Sequence, residues 1–388
     1  MSVNTMSFED ASAILNTIRQ QVTGEASIAP VNTAEFVSVG TTLLQSGYDP
    51  VLNAITQMVT KTIFSIRPYS RKFGGIKVDS EMWGSIVRKL AVADKPWEEN
   101  KEFDLVDGQS IDHYKVNKPE VLELKFYGAE DFAKSYTIFK DQLNNAFTGV
   151  SEFSRFMAMV VQNVSDMIEQ NFESIARMII ANYVGGKKVA NNGVIHLLTE
   201  YNTETGLSLT ATTVYAPANF GDFMKWVYAR IATLTSLMTE RSTEFQINVT
   251  GKSITRHTPF EYQKVYLYAK LLNDMNARVL ADTFHYDFIE YADVEAVNYW
   301  QSIESPMSID VTPNYLDADG SIKTGAEQNI SNLVGVIFDR EALGYTVMNE
   351  WSATTPLNAS GGYWNTFYHF LMRWWVDYSE KGIILLLD

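Results

Sequence analysis

The feature that most constrains this chain is residues 150–184, which contain neither glycine nor proline. Gly149 precedes the segment and Gly185-Gly186 follow it, so glycine marks both ends. Apolar side chains recur at three- and four-residue spacing, which predicts a helix with one apolar face that ends at the glycine pair. At about 1.5 Å per residue this helix would be about 50 Å long, and we expect it to form a spine. Its apolar positions are Phe153, Met157, Val160, Val164, Met167, Ile168, Phe172, Ile175, Ile179 and Tyr183.

A second long element is predicted at Tyr363–Tyr378, where 8 of 16 residues are aromatic. As one strand it would span about 50 Å, which matches the spine. Alternation places Tyr368 and Phe370 on one side and Phe367 and His369 on the other. Because both sides are apolar, the pattern favours burial between layers over an aromatic platform for a carbohydrate.

Composition limits the classes of function. The 31 Lys and Arg against 46 Asp and Glu give a net charge of −15. This charge argues against a sequence-independent grip on DNA and against an anionic membrane surface. The absence of cysteine excludes disulfides and thiolate chemistry. With no basic-apolar leader and no apolar run of about 20 residues, we expect an intracellular, soluble protein.

Residues 66–118 differ from the rest, since 19 of these 53 residues are charged. Short alternating runs separated by Gly74-Gly75 and Asp107-Gly108 predict a β-hairpin. Two interpretations remain open: a solvated surface excursion, or an extended hairpin that lies on a neighbouring subunit. Trp83 and Trp97 favour the second, because an exposed tryptophan is costly unless another surface covers it.

This segment therefore supplies the candidate subunit-interface residues. We expect the two tryptophans to contribute most of the contact energy. Exposed ion pairs each contribute little binding energy, but repeated over many copies they could set the register between neighbouring subunits. The candidates are Arg67, Arg71, Lys72, Trp83, Arg88, Trp97, Glu98 and Glu99.

Shorter signals predict the remaining elements. Residues 1–65 read as an arm with two helices, one capped by Ser7 and ending before Gly24, the other over Leu52–Ile66. The sequence Thr258-Pro259-Phe260-Glu261 resembles a capping box with proline at the first helical position, which predicts a helix through Leu272. A further helix is expected from Pro217, and strands are expected within 119–140 and over Glu244–Thr250, Val294–Trp300, Val334–Phe338 and Ile383–Leu387.

Motifs that demand particular chemistry are absent from the sequence. There is no phosphate-binding loop, no paired-histidine helix motif and no nucleophile elbow. Asp317–Gly320 fails as a calcium loop, because the first and last ligand positions fall on Tyr315 and Ala326. We therefore predict no catalytic residue, no cofactor and no metal site. None of the five histidines lies three or four residues from another: His113, His196, His257, His285 and His369.

The order of elements resembles the Hong Kong 97-type major capsid protein of tailed double-stranded DNA bacteriophages. Local resemblance lies in Ser253–Pro259, in Val336–Leu343 and in the long penultimate strand. The resemblance implies an α+β fold of the Hong Kong 97 type. Its parts would be an N-terminal arm (1–65), an extended loop (66–118), a peripheral domain (119–204) with the spine helix 150–184, an axial domain (205–339) and return strands (340–388).

What this resemblance implies is a structural subunit with no enzymatic activity. Copies would self-assemble into pentamers and hexamers of an icosahedral head that encloses double-stranded DNA. A separate scaffolding protein and a portal protein are implied as partners, with DNA contacted only non-specifically and no membrane involved. The protein would be found in the virion after assembly in the host cytoplasm. Some relatives crosslink a Lys to an Asn, but no residue here can be matched to that pair.

Three alternatives remain open at this point. An encapsulin-like compartment shell resembles the same fold. A carbohydrate hydrolase that uses two carboxylates is a different class, and Glu98-Glu99 beside Trp97 superficially suggest one. The charged hairpin offers no concave apolar pocket, which argues against that site. A phage tail or fibre protein would be rich in β-structure, and the long helix counts against it.

Overall fold

The computed structural model describes residues 7–24, 29–65, 72–78, 87–92, 107–108, 114, 121–126, 128–248, 254–279, 293–316 and 321–388. Helices and strands alternate along these residues in an α+β arrangement. The helices are α1 (Phe8–Thr23), α2 (Thr33–Ser46), α3 (Tyr48–Ser65), α4 (Lys140–Ala146), α5 (Val150–Ala190), α6 (Leu197–Thr205), α7 (Pro217–Thr239) and α8 (Ala269–Val279). Within the described ranges no helix is both long and apolar enough to cross a membrane.

The strands form five sheets, of which two organise the core. The strands are β1 (Val87–Val92), β2 (Val121–Phe126), β3 (Glu130–Phe139), β4 (Val194–His196), β5 (Gln263–Tyr268), β6 (Asp293–Val297), β7 (Ile309–Val311), β8 (Asn314–Leu316), β9 (Ile322–Thr324), β10 (Gln328–Ile330), β11 (Leu333–Asp339), β12 (Leu343–Thr354), β13 (Tyr363–Val376) and β14 (Gly382–Leu386).

The spine helix is confirmed, but it is longer than predicted. Helix α5 has 41 residues, about 60 Å at about 1.5 Å per residue. The expected end at Gly185-Gly186 is wrong, because both glycines are inside the helix. They allow close packing: a Cβ on Gly186 would lie 2.2 Å from the hydroxyl of Tyr378, and one on Gly185 would lie 2.7 Å from Val311. The helix ends instead at Asn191, whose φ of 46° is left-handed.

The aromatic segment is confirmed as one long strand, β13, at the centre of a three-stranded antiparallel sheet in the order β12-β13-β3. Its even-numbered residues through Met372 are buried: Trp364 donates to Asp49 of α3, and the ring of Phe370 meets Phe172 of α5 edge-on at 5.4 Å. The opposite side was predicted to be buried as well, and this is wrong. There the side chains are only half-buried, and the exposed Trp351 stacks on His369 at 3.8 Å.

A five-stranded mixed sheet, in the order β4-β14-β11-β5-β6, is covered on both faces. On one face Phe338 packs against Tyr183 of α5 at 6.2 Å between ring centroids. On the other face, the side chains of β5, β11 and β14 join a core formed with α6, α7 and α8. Every residue of the central strand β11 is therefore buried, as its continuous apolar sequence predicts.

Residues 7–65 contain three helices rather than the two expected. Helix α1 begins after Ser7, whose side chain accepts from the amide of Asp10, and ends at Gly24 in the left-handed region, as predicted. Helix α2 was missed, because serine, threonine and glycine interrupt its apolar face. The helices belong to the core of their own chain: the rings of Phe36 and Phe153 lie 5.6 Å apart.

Two further predictions are wrong. Instead of one long helix, Thr258-Pro259 precedes a single 3₁₀ turn, then β5, and only then α8. The hydroxyl of Thr258 donates to Asp339 rather than capping a helix. Consecutive residues of β5 pair with β11 on one side and with β6 on the other. Residues 244–248 form no strand, and the other predicted strands are present with shifts of a few residues at their ends.

The glycine pair in α5 gives a direct test of this packing. We expect Gly186→Ala to destabilise the fold by about 1–3 kcal/mol, because the new methyl group overlaps a tyrosine ring fixed by stacking. The control is Gly221→Ala in α7, where no atom lies within 4 Å of the added Cβ. That variant gains helix propensity of about 0.5–1 kcal/mol. Chemical denaturation measures both, and equal stability of the two variants would contradict the packing.

Candidate assembly site at the root of the β-ribbon

The predicted interface residues fall largely outside the part of the chain that the structure describes. Lys72 and Arg88 are within it. The amide of Lys72 donates to Glu173 of α5 at 3.0 Å, and Arg88 is opposite Lys125 in the pairing of β1 with β2. The intersubunit role of these residues stays a prediction. The residues outside the described ranges are Arg67, Arg71, Trp83, Trp97, Glu98 and Glu99.

Strands β1 and β2 form a two-stranded antiparallel ribbon by themselves. This pairing agrees with the predicted hairpin, although the return strand at Val121–Phe126 begins just beyond the expected boundary at 118. Val92 is directly opposite Val121, and this pair closes the described part of the two strands. We call β1 and β2 together the ribbon, and residues 87–89 with 124–126 its root.

The two faces of the ribbon differ. Lys89 and the buried Leu122 are on the face toward the body of the subunit. The alternate positions form the outer face, where Leu90, Val92 and Val121 are 65%, 58% and 53% exposed. Strand alternation therefore separates an anchored face from an outer face on which these three apolar side chains, beside the charged Glu123 and Lys125, are not covered by the rest of the described chain.

Lys89 fixes the root of the ribbon through carboxylates from the end of the chain. Its ammonium Nζ lies 3.0 Å from Asp377 Oδ2, 3.4 Å from Glu380 Oε1 and 3.7 Å from Glu341 Oε2. It also donates to the carbonyl of Glu341 at 2.8 Å. Burial lowers the pKa of Lys89, but attraction to Asp377 and Glu380 outweighs that effect, so the pKa is raised. The lysine is charged and tightly paired at neutral pH.

The carboxylates around Lys89 exceed the nearby cations in number. Arg256 contacts the same oxygen of Glu380 as Lys89 does, at 3.5 Å. Burial raises the pKa of Glu380 despite attraction to Lys89 and Arg256. Burial also raises the pKa of Asp339, although its carboxylate accepts hydrogen bonds from Thr258 and from a backbone amide. These carboxylates therefore protonate more readily than ordinary ones.

The chain that leads into the ribbon is anchored a second time, on α5. The ion pair of Glu173 with Arg177, at 2.8 Å, is nearly buried. The Arg177 guanidinium lies over the rings of Phe73, at 4.9 Å, and Tyr299, at 3.9 Å. The backbone of Lys77 then forms an isolated parallel β-bridge with Tyr345 in β12. The spine thus positions the segment that precedes β1.

A fully buried lysine is located on the last turn of α5, close to the same carboxylates. Lys187 donates to the carbonyl of Phe245 at 2.6 Å and to Asn192 Oδ1 at 3.2 Å. Burial lowers its pKa to about 7, and attraction to Asp377 opposes that shift only in part. The helix end therefore carries a lysine that changes charge near neutral pH.

Histidine and carboxylate clusters give no sign of a metal centre in the described ranges. There, no group of three or more His, Asp or Glu side chains is arranged to hold a metal ion. His196 pairs with Asp388 at 2.5 Å and His369 with Asp131 at 3.0 Å. Residues His113 and His285, the Asp317–Gly320 turn and Glu98-Glu99 are outside the described residues.

The comparison with known families is decisive for the class of protein. The sequence model of the Phi29-like phage major capsid protein family matches residues 13–377. The chain belongs to this family. It is therefore a structural subunit of a phage capsid, a component of the virion and not an enzyme. No curated protein matches the sequence.

Solved phage structures show that the capsid subunit has the Hong Kong 97-like fold that the order of elements implies. A chain in the capsid of Staphylococcus phage Andhra is similar, with a TM-score of 0.52 and 11% identity over 82% of this chain and 84% of that chain. A chain in the structure of the head fibre and inner core protein of native bacteriophage P68 also has a TM-score of 0.52, with 10% identity over 82% and 85% of the two chains.

The anchoring residues of the capsid subunit were not found from the sequence. The partners of Lys89 lie about 250 to 290 residues away along the chain, and no local spacing connects them. The one available signal was the density of charge in the hairpin, which, with its two tryptophans, was interpreted as an intersubunit contact. The structure shows that one of these charges, Lys89, is used within the subunit.

The buried lysine of α5 predicts a pH dependence. Its pKa in the folded subunit lies below that of an unfolded lysine, so the unfolded chain binds more protons between about pH 7 and 10. Lys187 therefore makes the free energy of unfolding rise with pH across that interval, by at most about 1.4 kcal/mol per pH unit. We expect Lys187→Met to remove this slope.

Lys188→Met is the control, since its side chain is half-exposed on the same helix turn. Denaturation of wild type and both variants at several pH values between 7 and 10 measures the slopes. If Lys187→Met and wild type keep parallel slopes, the assigned charge state of Lys187 is wrong.

Proposed function

We propose that this capsid subunit assembles into pentamers and hexamers of an icosahedral head that encloses double-stranded DNA, and that the ribbon is an intersubunit contact. The observation that carries the proposal is the outer face of the ribbon. Leu90, Val92 and Val121 are neighbours in the strand register and all more than half exposed. Adjacent exposed apolar side chains on a narrow projection favour a covering surface. In a shell of identical subunits, that surface belongs to another copy.

The shape of the ribbon suits the contact that a closed shell requires. Rings of one subunit use heterologous contacts, in which a patch on one copy meets a different patch on the next. The predicted contacts Trp97, Glu98 and Glu99 belong to the part of the sequence that links β1 to β2. The ribbon therefore supplies one patch of such a pair.

The domain limits and the remaining partners are parts of the same proposal. We assign residues 1–65 to the arm, 66–118 to the extended loop, 119–204 to the peripheral domain, 205–339 to the axial domain and 340–388 to the return strands. A net charge of −15 favours weak, non-specific contact with packaged DNA. A separate scaffolding protein and a portal protein would complete assembly in the host cytoplasm.

The apolar face of the ribbon can be tested by making it polar. We expect the double variant Leu90→Ser/Val121→Ser to fold and to lose most particle assembly, because the covered apolar area disappears. The matched control is Ile303→Ser/Ile322→Ser, two isoleucines that are 75% and 78% exposed elsewhere on the subunit. Size-exclusion chromatography and negative-stain imaging, with and without a co-expressed scaffolding candidate, measure the yield of particles.

Circular dichroism and denaturation first confirm that both double variants are folded. Normal particles from the ribbon variant, or an equal loss from the control, would contradict the proposed contact.

A further inference from the structure

We infer that Lys89, with the carboxylates of Glu341, Asp377 and Glu380, forms a releasable latch that sets the position of the ribbon on its own subunit. The latch opens when Glu380 loses its charge. This inference concerns one folded subunit and goes beyond the assembly contact proposed above, because the latched residues are on the inner face of the ribbon.

The ribbon has little else to hold it among the described residues. It is a separate two-stranded sheet, and such a pair of strands is marginally stable alone. On its inner face, Leu122 is buried and the apolar residues Ala91, Leu124 and Phe126 are half-buried. The four contacts of the Lys89 ammonium, one with a carbonyl and three with carboxylates, therefore represent a large share of its attachment.

The latch is assembled from several elements that meet at the turn between β13 and β14. Strand β1 supplies Lys89, the turn after β11 supplies Glu341, and the segment between β13 and β14 supplies Asp377 and Glu380. Asp377 is held in place, because its second oxygen accepts from the amide and hydroxyl of Ser379.

Glu380 is the switching group. It is shared between Lys89 and Arg256, at 3.4 and 3.5 Å, and its side chain is almost fully buried. Four carboxylates face this cluster: Asp339, Glu341, Asp377 and Glu380. The cations are Lys89, Arg256 and, beside Asp377, Lys187 of α5, whose pKa is lowered to about 7; the hydroxyl of Tyr183 also faces the carboxylates. The excess of negative charge makes protonation of one carboxylate favourable.

Protonation has opposite effects on the fold and on the latch. Because burial raises the pKa of Glu380 in the folded state, the folded chain binds this proton more readily than the unfolded chain. When the pH is lowered until Glu380 protonates, the folded chain therefore no longer bears the free-energy cost of that buried charge. The same proton removes one partner of Lys89, so the ribbon loosens while the body remains folded.

Hydrogen–deuterium exchange of the full-length, unassembled subunit at constant pH tests the latch. Glu380→Gln mimics the protonated carboxyl, and we expect it to accelerate amide exchange in Val87–Val92 and Val121–Phe126 about tenfold, the effect of losing one charge-assisted hydrogen bond. Exchange in α5 and β11 is expected to remain as in wild type. Lys89→Met is expected to act in the same direction and more strongly.

The matched control is Lys125→Met, which removes a lysine from the outer face of the same ribbon. Lys125 is half-exposed and pairs with Glu123 of its own strand at 3.4 Å. If Lys89→Met fails to fold because Asp377 is left unpaired, Glu380→Gln carries the test alone. Unchanged exchange of the ribbon in Glu380→Gln, or equal acceleration in Lys125→Met, overturns the inference. Neither result depends on whether particles form.

Discussion

Helix α5 continues through Gly185 and Gly186 without a break, and the rest of the subunit depends on this. Because these positions lack a Cβ, the Tyr378 ring can lie against the helix, stacked on Tyr183 at 5.6 Å. The chain between β13 and β14 can then cross the spine, which places β13 on the three-stranded sheet and β14 in the five-stranded sheet. The same crossing positions the carboxylates that receive Lys89. One close helix–tyrosine contact thus joins the two sheets and the root of the ribbon.

The ribbon combines two opposed surfaces on two short strands. Its inner face has a charge that is used within the subunit, and its outer face exposes Leu90, Val92 and Val121 beside the charged pair Glu123–Lys125. This separation suits a capsid subunit. One face can contact a neighbouring copy while the other face fixes the orientation of the ribbon on its own subunit. Isolated exposed ion pairs contribute little to such direction, whereas the Lys89 cluster is partly buried and has three carboxylates around one ammonium. We therefore infer that the inner face sets the orientation of the ribbon and that the outer face binds another subunit.

Periodic patterns in the sequence predicted the elements that are long and amphipathic, and they failed where tertiary contacts decide. The spine and the aromatic strand followed from spacing alone, and the sequence of elements implied the fold. The glycine pair was taken as a helix end because propensity alone disfavours glycine inside helices, whereas close approach of Tyr378 requires it. The capping-box pattern at Thr258 failed because its hydroxyl donates to Asp339. The partners of Lys89 could not be predicted, since nothing local relates β1 to residues near 380.

We propose that the ribbon is anchored to its own subunit and covered by a neighbouring one. A cryo-electron microscopy reconstruction of assembled particles, at a resolution that shows side chains, tests this most directly. The account predicts that Lys89 contacts Asp377 of its own chain, while Leu90, Val92 and Val121 lie against a neighbouring copy. An outer face of the ribbon left open to solvent throughout the shell would contradict it.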